Sequence, residues 1–370
     1  MYIHELKEWP EFQWNQTALT GLLAGVRHQQ GRLLGRMEAL GFQLREEATL
    51  QSLTQDVLKT CEIEGEKLDA RLVRSSLARR MGLDIGALPP IDRNVEGIVE
   101  VMLDATRHYD QPLTVERLFG WHAALFPTGR SGMHRITVGA WRTEQSGAMQ
   151  VVSGPIGLET VHYEAPESGR LQTEMSQFIH WCNTASGLDP VIKAALAHFW
   201  FVTIHPFEDG NGRIARAIAD LLLARSEQTS QRFYSLSAQI QHERNDYYDV
   251  LERCQKGPLD ISEWMQWFLN CLRRAIAASE QLLEVVLLKA GFWNAHTGES
   301  FNERQRNVIN RLLDGFAGKL TSSKWAKLTK CSQDTALRDI SDLVTRSILA
   351  KDEAGGRSTS YTLRLPERNL

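Results

Sequence analysis

Residues 190–204 run apolar on nearly every face, and this stretch restricts the fold more than any other part of the chain. Asp189 suits the cap of a helix there and Pro190 its first turn, since a carboxylate accepts from free amides and proline has none to leave unpaired. A helix apolar all round belongs at the centre of a domain, so other elements must wrap it. A second apolar helix is expected from Arg213 to about Arg225, beyond a glycine-rich turn. Helical spacing prevails elsewhere. Leu19, Leu22, Val26, Leu33, Met37 and Leu40 recur at three, four or seven residues and predict a helix to about Gly41. Further helices are expected over 51–78, broken by Gly65, over 95–109 and 114–125, and near 245–254 and 261–289. Residues 82–90 read as a loop closed by Pro89-Pro90, and 136–163, divided by Gly139, Gly147, Gly154 and Gly157, as a hairpin and loop set among helices. The fold class is therefore mainly α.

At 370 residues, 42% hydrophobic and 24% charged, the chain is sized for two or three globular domains and excludes disorder or a fibrous repeat. Five scattered cysteines with no C-x-x-C pair speak against structural zinc and for reduced thiols in a cytoplasm. The first ten residues are too charged for a signal peptide, and no apolar run approaches the roughly 20 residues of a membrane helix. A soluble cytoplasmic protein without a membrane partner is the expectation. The net charge of −3 gives no global pull towards nucleic acid, but it is unevenly spread. Residues 301–370 hold 13 Lys or Arg against 8 Asp or Glu, a net of +5. Helices over 303–316, 324–330 and 335–346, then a hairpin over 348–365, follow the order of a winged helix-turn-helix domain. Thr335 to Val344 would be the recognition helix and Gly355-Gly356-Arg357 the wing tip. Lys324, Lys327, Lys330, Arg338 and Arg357 would meet DNA phosphates. Such a domain also serves as a protein-docking surface, and both readings stand.

The chemistry lies between the two apolar helices, in His205-Pro206-Phe207-Glu208-Asp209-Gly210-Asn211-Gly212-Arg213-Ile214-Ala215-Arg216. Gly210 and Gly212 permit a tight turn and close approach of backbone to a ligand, and the helix that follows offers free amides and its positive end to an anion. Arg213 and Arg216, three apart, share a helix face and can grip phosphate oxygens. Asp209 supplies a hard carboxylate for a phosphate-bridging magnesium ion. His205 can act as a general base near neutral pH. A catalytic zinc on His205 and Asp209 would need a third ligand, and no H-E-x-x-H is present. His198, seven residues earlier, reads as a core histidine.

The run matches His-Pro-Phe-x-Asp/Glu-Gly-Asn-Gly-Arg-x-x-Arg, and the chain resembles Fic proteins. That resemblance implies a Fic-type helical core with a short β-hairpin flap, and transfer of AMP from ATP to a Ser, Thr or Tyr hydroxyl of a target protein or of the enzyme itself. It implies His205 as the catalytic base, Asp209 as the magnesium ligand, and Gly210, Asn211 and Gly212 as an anion hole. Arg213 and Arg216 become the β- and γ-phosphate clamps, with Ile214 and Ala215 in the same ATP-binding run. Gly139–Thr143 through Met149–Gly154 resembles the flap, whose Val152, Ser153 and Gly154 would touch ATP. Tyr247, Tyr248 and Gln255 resemble the border of the adenine pocket, although many relatives carry Asn where Gln255 stands. Thr60-Cys61-Glu62-Ile63-Glu64-Gly65 fits Ser/Thr-x-x-x-Glu-Gly/Asn, the inhibitory motif of autoinhibited Fic proteins: Thr60, Glu64 and Gly65 would form it, with Glu64 on a short helix, paired with Arg216 in the space of the γ-phosphate. The implied organisation is an inhibitory N-terminal helical region over 1–90, with its inhibitory helix at about 60–66, a catalytic core over 91–290 and a winged helix over 300–370. The N-terminal helices offer a surface for a homodimer. Three other readings remain: removal of AMP at the same site, transfer of another nucleotide or of phosphocholine, and a DNA-binding regulator whose core senses nucleotide.

Overall fold

In the computed structural model the chain divides into two units, Met1–Ser279 and Glu280–Leu370. The structure describes residues 1–38, 42–83, 92–154, 158–185, 187–313, 316, 318–352 and 359–365. The first unit opens with helices α1 (Gln16–Glu38), α2 (Phe42–Ile63), α3 (Ala70–Met81), α4 (Arg93–Arg107) and α5 (Val115–Leu125). Two small antiparallel pairs follow, β1 (Arg130–Ser131) with β2 (His134–Arg135) and β3 (Gln150–Ser153) with β4 (Thr160–Glu164). Then come α6 (Leu171–Asn183), α7 (Pro190–Ile204), α8 (Asn211–Glu227), α9 (Leu236–His242), α10 (Arg244–Gln255) and α11 (Ser262–Ala295), whose residues after Ser279 belong to the second unit.

The all-apolar segment is indeed central. In α7 every residue except Pro190 and Lys193 is buried, and α7 packs along α8. Burying Phe199, Trp200 and Phe201 contributes about 2–3 kcal/mol each by area removed from water. Asp189 caps α7 by accepting from the Val191 amide at 2.8 Å, and Arg27 of α1 grips the same carboxylate through Nη2 at 2.8 Å and Nε at 3.1 Å. One aspartate thus starts the central helix and ties the N-terminal region to it.

Within Met1–Ser279, α2 packs against α4, α8 and α9 as well as α3. The helix expected from Gln51 begins earlier, at Phe42. Its predicted neighbours at Leu40-Gly41 and Pro89-Pro90, and Gly157 in the hairpin, lie outside the described residues.

The hairpin also differs from the expectation. Thr137-Val138 and Gly139–Thr143 form no strand; the arms are β3 and β4, paired Gln150 to Glu164 through Ser153 to Thr160 with an irregularity between Val151 and Val152. Residues 139–143 turn inward because Arg142, 3% exposed, finds acceptors in the core.

The second unit contains α12 (Glu303–Leu313), α13 (Ser322–Thr329), α14 (Gln333–Thr345) and an antiparallel pair, β5 (Leu349–Lys351) with β6 (Tyr361–Leu363). Trp325, Ile340 and Leu343 form its core with Phe292 and Val308. The expected wing tip, Gly355-Gly356-Arg357, lies outside the described residues. No helix among the described residues is long and apolar enough to cross a membrane.

Candidate active site

The site begins where α7 stops. His205 takes a left-handed backbone, φ 51° and ψ 59°, which is uncommon for a residue with a side chain. Arg142 holds it there: its amide donates to the Pro206 carbonyl at 2.9 Å, its Nε to the His205 carbonyl at 2.8 Å, and its Nη2 to the Pro166 carbonyl. His205 Nδ1 lies 3.2 Å from the Val202 carbonyl. A carbonyl only accepts, so Nδ1 carries the proton and Nε2 keeps its lone pair. Burial pushes the imidazole down to about 4, with Arg142 acting in the same direction. It is a neutral base of fixed tautomer.

The turn that follows is closed from within. Asn211 Oδ1 accepts from the Phe207 amide at 3.0 Å and its Nδ2 donates to the Phe207 carbonyl at 2.8 Å, so this side chain staples the loop. Gly210 is the residue before α8, at φ +80°, and a Cβ on it would sit 2.9 Å from the Phe126 ring. With glycine there, no side chain caps the first amides of α8, which suits an anion. Asp209 accepts from the Gly210 amide and from the Ser131 hydroxyl. Its carbonyl receives His122 Nε2 at 3.2 Å, while His122 Nδ1 accepts from the Gly139 amide at 3.1 Å. His122 is fully buried, stacked on Phe207 and pushed down to about 4 by burial, so it positions the loop as a neutral group.

Opposite α8 stands the end of α2. Glu64 is the first residue beyond that long helix rather than part of a short one, and Gly65 at φ +84° reverses the chain. Glu64 Oε1 pairs with Arg216 Nη2 at 2.6 Å, while Thr60 supplies its hydroxyl to Arg216 Nε at 2.7 Å and its carbonyl to Nη2 at 3.0 Å. Arg216 is 1% exposed, and burial opposes its charge while Glu64 supports it. A Cβ on Gly212 would come within 2.3 Å of Glu64 Oε1, so any side chain there would push the carboxylate out of its present place beside Arg216. Arg213 pairs with Glu66 at 3.2 Å and lies over the Phe126 ring.

A cavity of about 530 Å³ opens between the hairpin, α10 and this turn. Of the expected residues it brings together Glu64, Val152, Ser153, His205 and Gly212 with Tyr247, Tyr248 and Gln255. Gly154, Asp209, Gly210, Asn211, Arg213 and Arg216 do not line it. Ile214 and Ala215 are fully buried on the inner face of α8, so their side chains belong to the core. Tyr247 is mostly core too: it is 1% exposed and its hydroxyl meets His198 Nε2 at 2.9 Å. His198 is a buried core histidine, pushed down to about 3 by burial. Gln255 turns its Nε2 towards Thr203 Oγ1 at 3.2 Å.

Sequence reasoning missed several residues here. Arg142, His122, Ser131 and Glu66 are described above. Arg244 lines the cavity, donates to the Ile63 carbonyl at the end of α2 at 2.9 Å and lies over Tyr248. His162 of β4 faces Glu252 of α10 through Nδ1 at 2.6 Å and Ser153 through Nε2 at 2.6 Å, tying the hairpin to α10. None carries a local signal, because each acts on a distant segment.

A buried helix pair thus brings a neutral histidine at the end of the first helix beside uncapped amides at the start of the second. Residues 112–223 match the Fic/DOC family, so the chain carries a Fic/DOC domain over that stretch. Residues 2–83 match a domain of unknown function, DUF4172. The chain is 27% identical over 246 residues to a protein of Culex quinquefasciatus named protein adenylyltransferase Fic, an overlap of 66% of this chain and 44% of that one. It thus spans less than half the length of that curated relative. Its fold is similar to a Fic family protein from Desulfovibrio desulfuricans, at a TM-score of 0.53 and 19% identity over 95% of this chain and 97% of that one. A Fic domain containing signaling protein from Bacteroides thetaiotaomicron gives 0.53 at 18% identity, covering 70% and 97%.

Proposed function

We propose that this protein is a protein adenylyltransferase that moves AMP from ATP to a hydroxyl side chain of a target protein, with Glu64 holding it inactive. The observation that carries the reading is Glu64, which lines the cavity that also holds His205 and, behind that wall, pairs with the buried Arg216 at 2.6 Å. In the reaction the target oxygen bonds to the α-phosphorus, the bond from that phosphorus to the β-phosphate bridge breaks, and pyrophosphate leaves. The target's proton passes to His205 Nε2, the nitrogen left free by the Val202 contact. The amides opening α8 and the guanidinium groups of Arg213 and Arg216 offset phosphate charge. The hairpin and α10 hold the nucleoside end, with Tyr248 and Val152 presenting exposed apolar surface to it.

Asp209 suits magnesium by its chemistry: a carboxylate with the Ser131 hydroxyl beside it is a hard, all-oxygen set, and magnesium commonly sits on one or two carboxylates plus substrate phosphates. Among the described residues no group of three or more His, Cys, Asp or Glu forms a metal cage, in keeping with an ion that arrives with the nucleotide. When bound it would neutralise phosphate charge. Glu64 also faces the cavity, where it would hold a water for attack on the phosphorus of an AMP-modified target; the bond from that phosphorus to the target oxygen breaks, AMP leaves and the target regains its hydroxyl proton, so the same wall supports hydrolytic removal of AMP.

The test is intact mass after incubation of wild type, Glu64→Gly and His205→Ala with ATP and magnesium. Added AMP is expected to be greatest in Glu64→Gly and absent in His205→Ala. No added AMP in Glu64→Gly, with ATP bound, refutes the reading.

A second reading, DNA binding, draws on the second unit, where Lys324, Lys327 and Lys330 of the α13 segment and Arg338 of α14 are exposed in a helix-turn-helix order. Retention of short duplex DNA by the full chain, weakening steeply with salt, is its expected sign.

A further inference from the structure

The turn after α2 carries a second carboxylate. Three backbone bonds fix it: Glu64 and Glu66 amides to the Cys61 carbonyl and the Gly65 amide to Glu62, each at 3.0 Å. That geometry turns both Glu64 and Glu66 towards α8, where they meet arginines one helical turn apart. Glu62 goes elsewhere, to Lys59, so facing α8 is not shared by every acid of the segment. Arg213 is 8% exposed, and Glu66 Oε2 at 3.2 Å is its hydrogen-bond partner among the described residues, with its Nε buried and unbonded. A guanidinium so placed has donor capacity that one exposed carboxylate does not use and a phosphate would.

We propose that Glu66 is a second inhibitory carboxylate, occupying Arg213 as Glu64 occupies Arg216, so that the turn masks two phosphate positions. The inference rests on the adenylyl-transfer reading, in which Arg213 serves the β-phosphate and Arg216 the γ-phosphate. ATP must then displace both acids, whereas ADP has to displace Glu66 alone. Glu66 is the weaker of the two because its side chain is 41% exposed and solvent screens the pair.

The experiment measures binding of AMP, ADP and a non-hydrolysable ATP analogue to wild type, Glu66→Gln, Glu64→Gln and the double variant. Glu66→Gln is expected to tighten ADP and the ATP analogue alike, by about threefold, the scale of an exposed ion pair, and to leave AMP unchanged. Glu64→Gln is expected to favour the triphosphate over ADP, and the double variant to show the product of both effects. Glu66→Asp, which keeps charge but shortens reach, should fall between. Wild-type affinities for ADP and the ATP analogue in Glu66→Gln, at an unchanged melting temperature, overturn the proposal. So does AMP tightened as much as ADP. Failure of Glu64→Gly to transfer AMP would count against the enzymatic reading instead, since the binding series needs no turnover.

Discussion

Arg142 is the residue whose removal should show most directly how a buried contact of the fold holds His205 in place. It is 3% exposed and its guanidinium spans the His205 carbonyl at 2.8 Å and the Pro166 carbonyl, with the Ile204 carbonyl farther off at 3.5 Å. Hydrogen bonds from a charged donor contribute about 1.5–3 kcal/mol each, so the two good ones contribute about 3–6 kcal/mol. Arg142→Met removes them but also removes a buried charge that burial disfavours, as its lowered pKa indicates. The net loss expected is about 2–4 kcal/mol. The left-handed His205 is itself strained, so without its carbonyl clamp the residue relaxes and Nε2 leaves its place. Turnover should therefore fall at least tenfold, with a smaller change in KM for ATP. Arg142→Lys should not rescue it, because one ammonium cannot serve two divergent carbonyls. Urea denaturation gives the stability and initial rates in the Glu64→Gly background give the chemistry. A variant within about 0.5 kcal/mol of its parent and with the parent's turnover would refute the argument.

Three more perturbations follow from the same geometry. His122, His198 and His205 are pushed by burial to about 4, 3 and 4, against about 6.5 unfolded, so the unfolded chain binds more protons in between. Stability should fall as pH drops from about 6.5 towards 4, less steeply in His122→Gln, and transfer should hold until pH nears the His205 value; equal slopes in urea melts would contradict the burial. Gly210→Ala places a Cβ 2.9 Å from Phe126 at φ +80°, and should cost about 1–2 kcal/mol in denaturation and most of the activity. A chelator should stop transfer, since Asp209 and the Ser131 hydroxyl beside it would hold magnesium together with the nucleotide, and initial rates with and without chelator check this.

Much of the site was legible because it is contiguous. The end of one helix, a glycine turn and the start of the next occupy residues 205–216, and caps and φ preferences act within a few residues. The apolar periodicity of α7 likewise announced its burial. That Ile214 and Ala215 face inward while Arg213 and Arg216 face α2 was open to the same helical arithmetic. The pairing of Glu64 with Arg216 was expected only through family resemblance.

What stayed hidden depends on contacts across the chain. Arg142 to His205 spans 63 residues, His122 to Asp209 87, Glu66 to Arg213 147 and Arg244 to Ile63 181. The strands at 150–153 and 160–164 match the sequence reading, but 137–143, given to the flap partly by resemblance, forms no strand, because the buried Arg142 guanidinium satisfies carbonyls of distant segments. By itself the sequence determined the main helices and the glycine turn between α7 and α8, because local hydrogen bonding and side-chain periodicity set these. Only the tertiary structure decided which carboxylates cover the arginines and which buried groups hold His205 and Asp209 in place, because burial and ion pairing depend on what distant segments bring alongside.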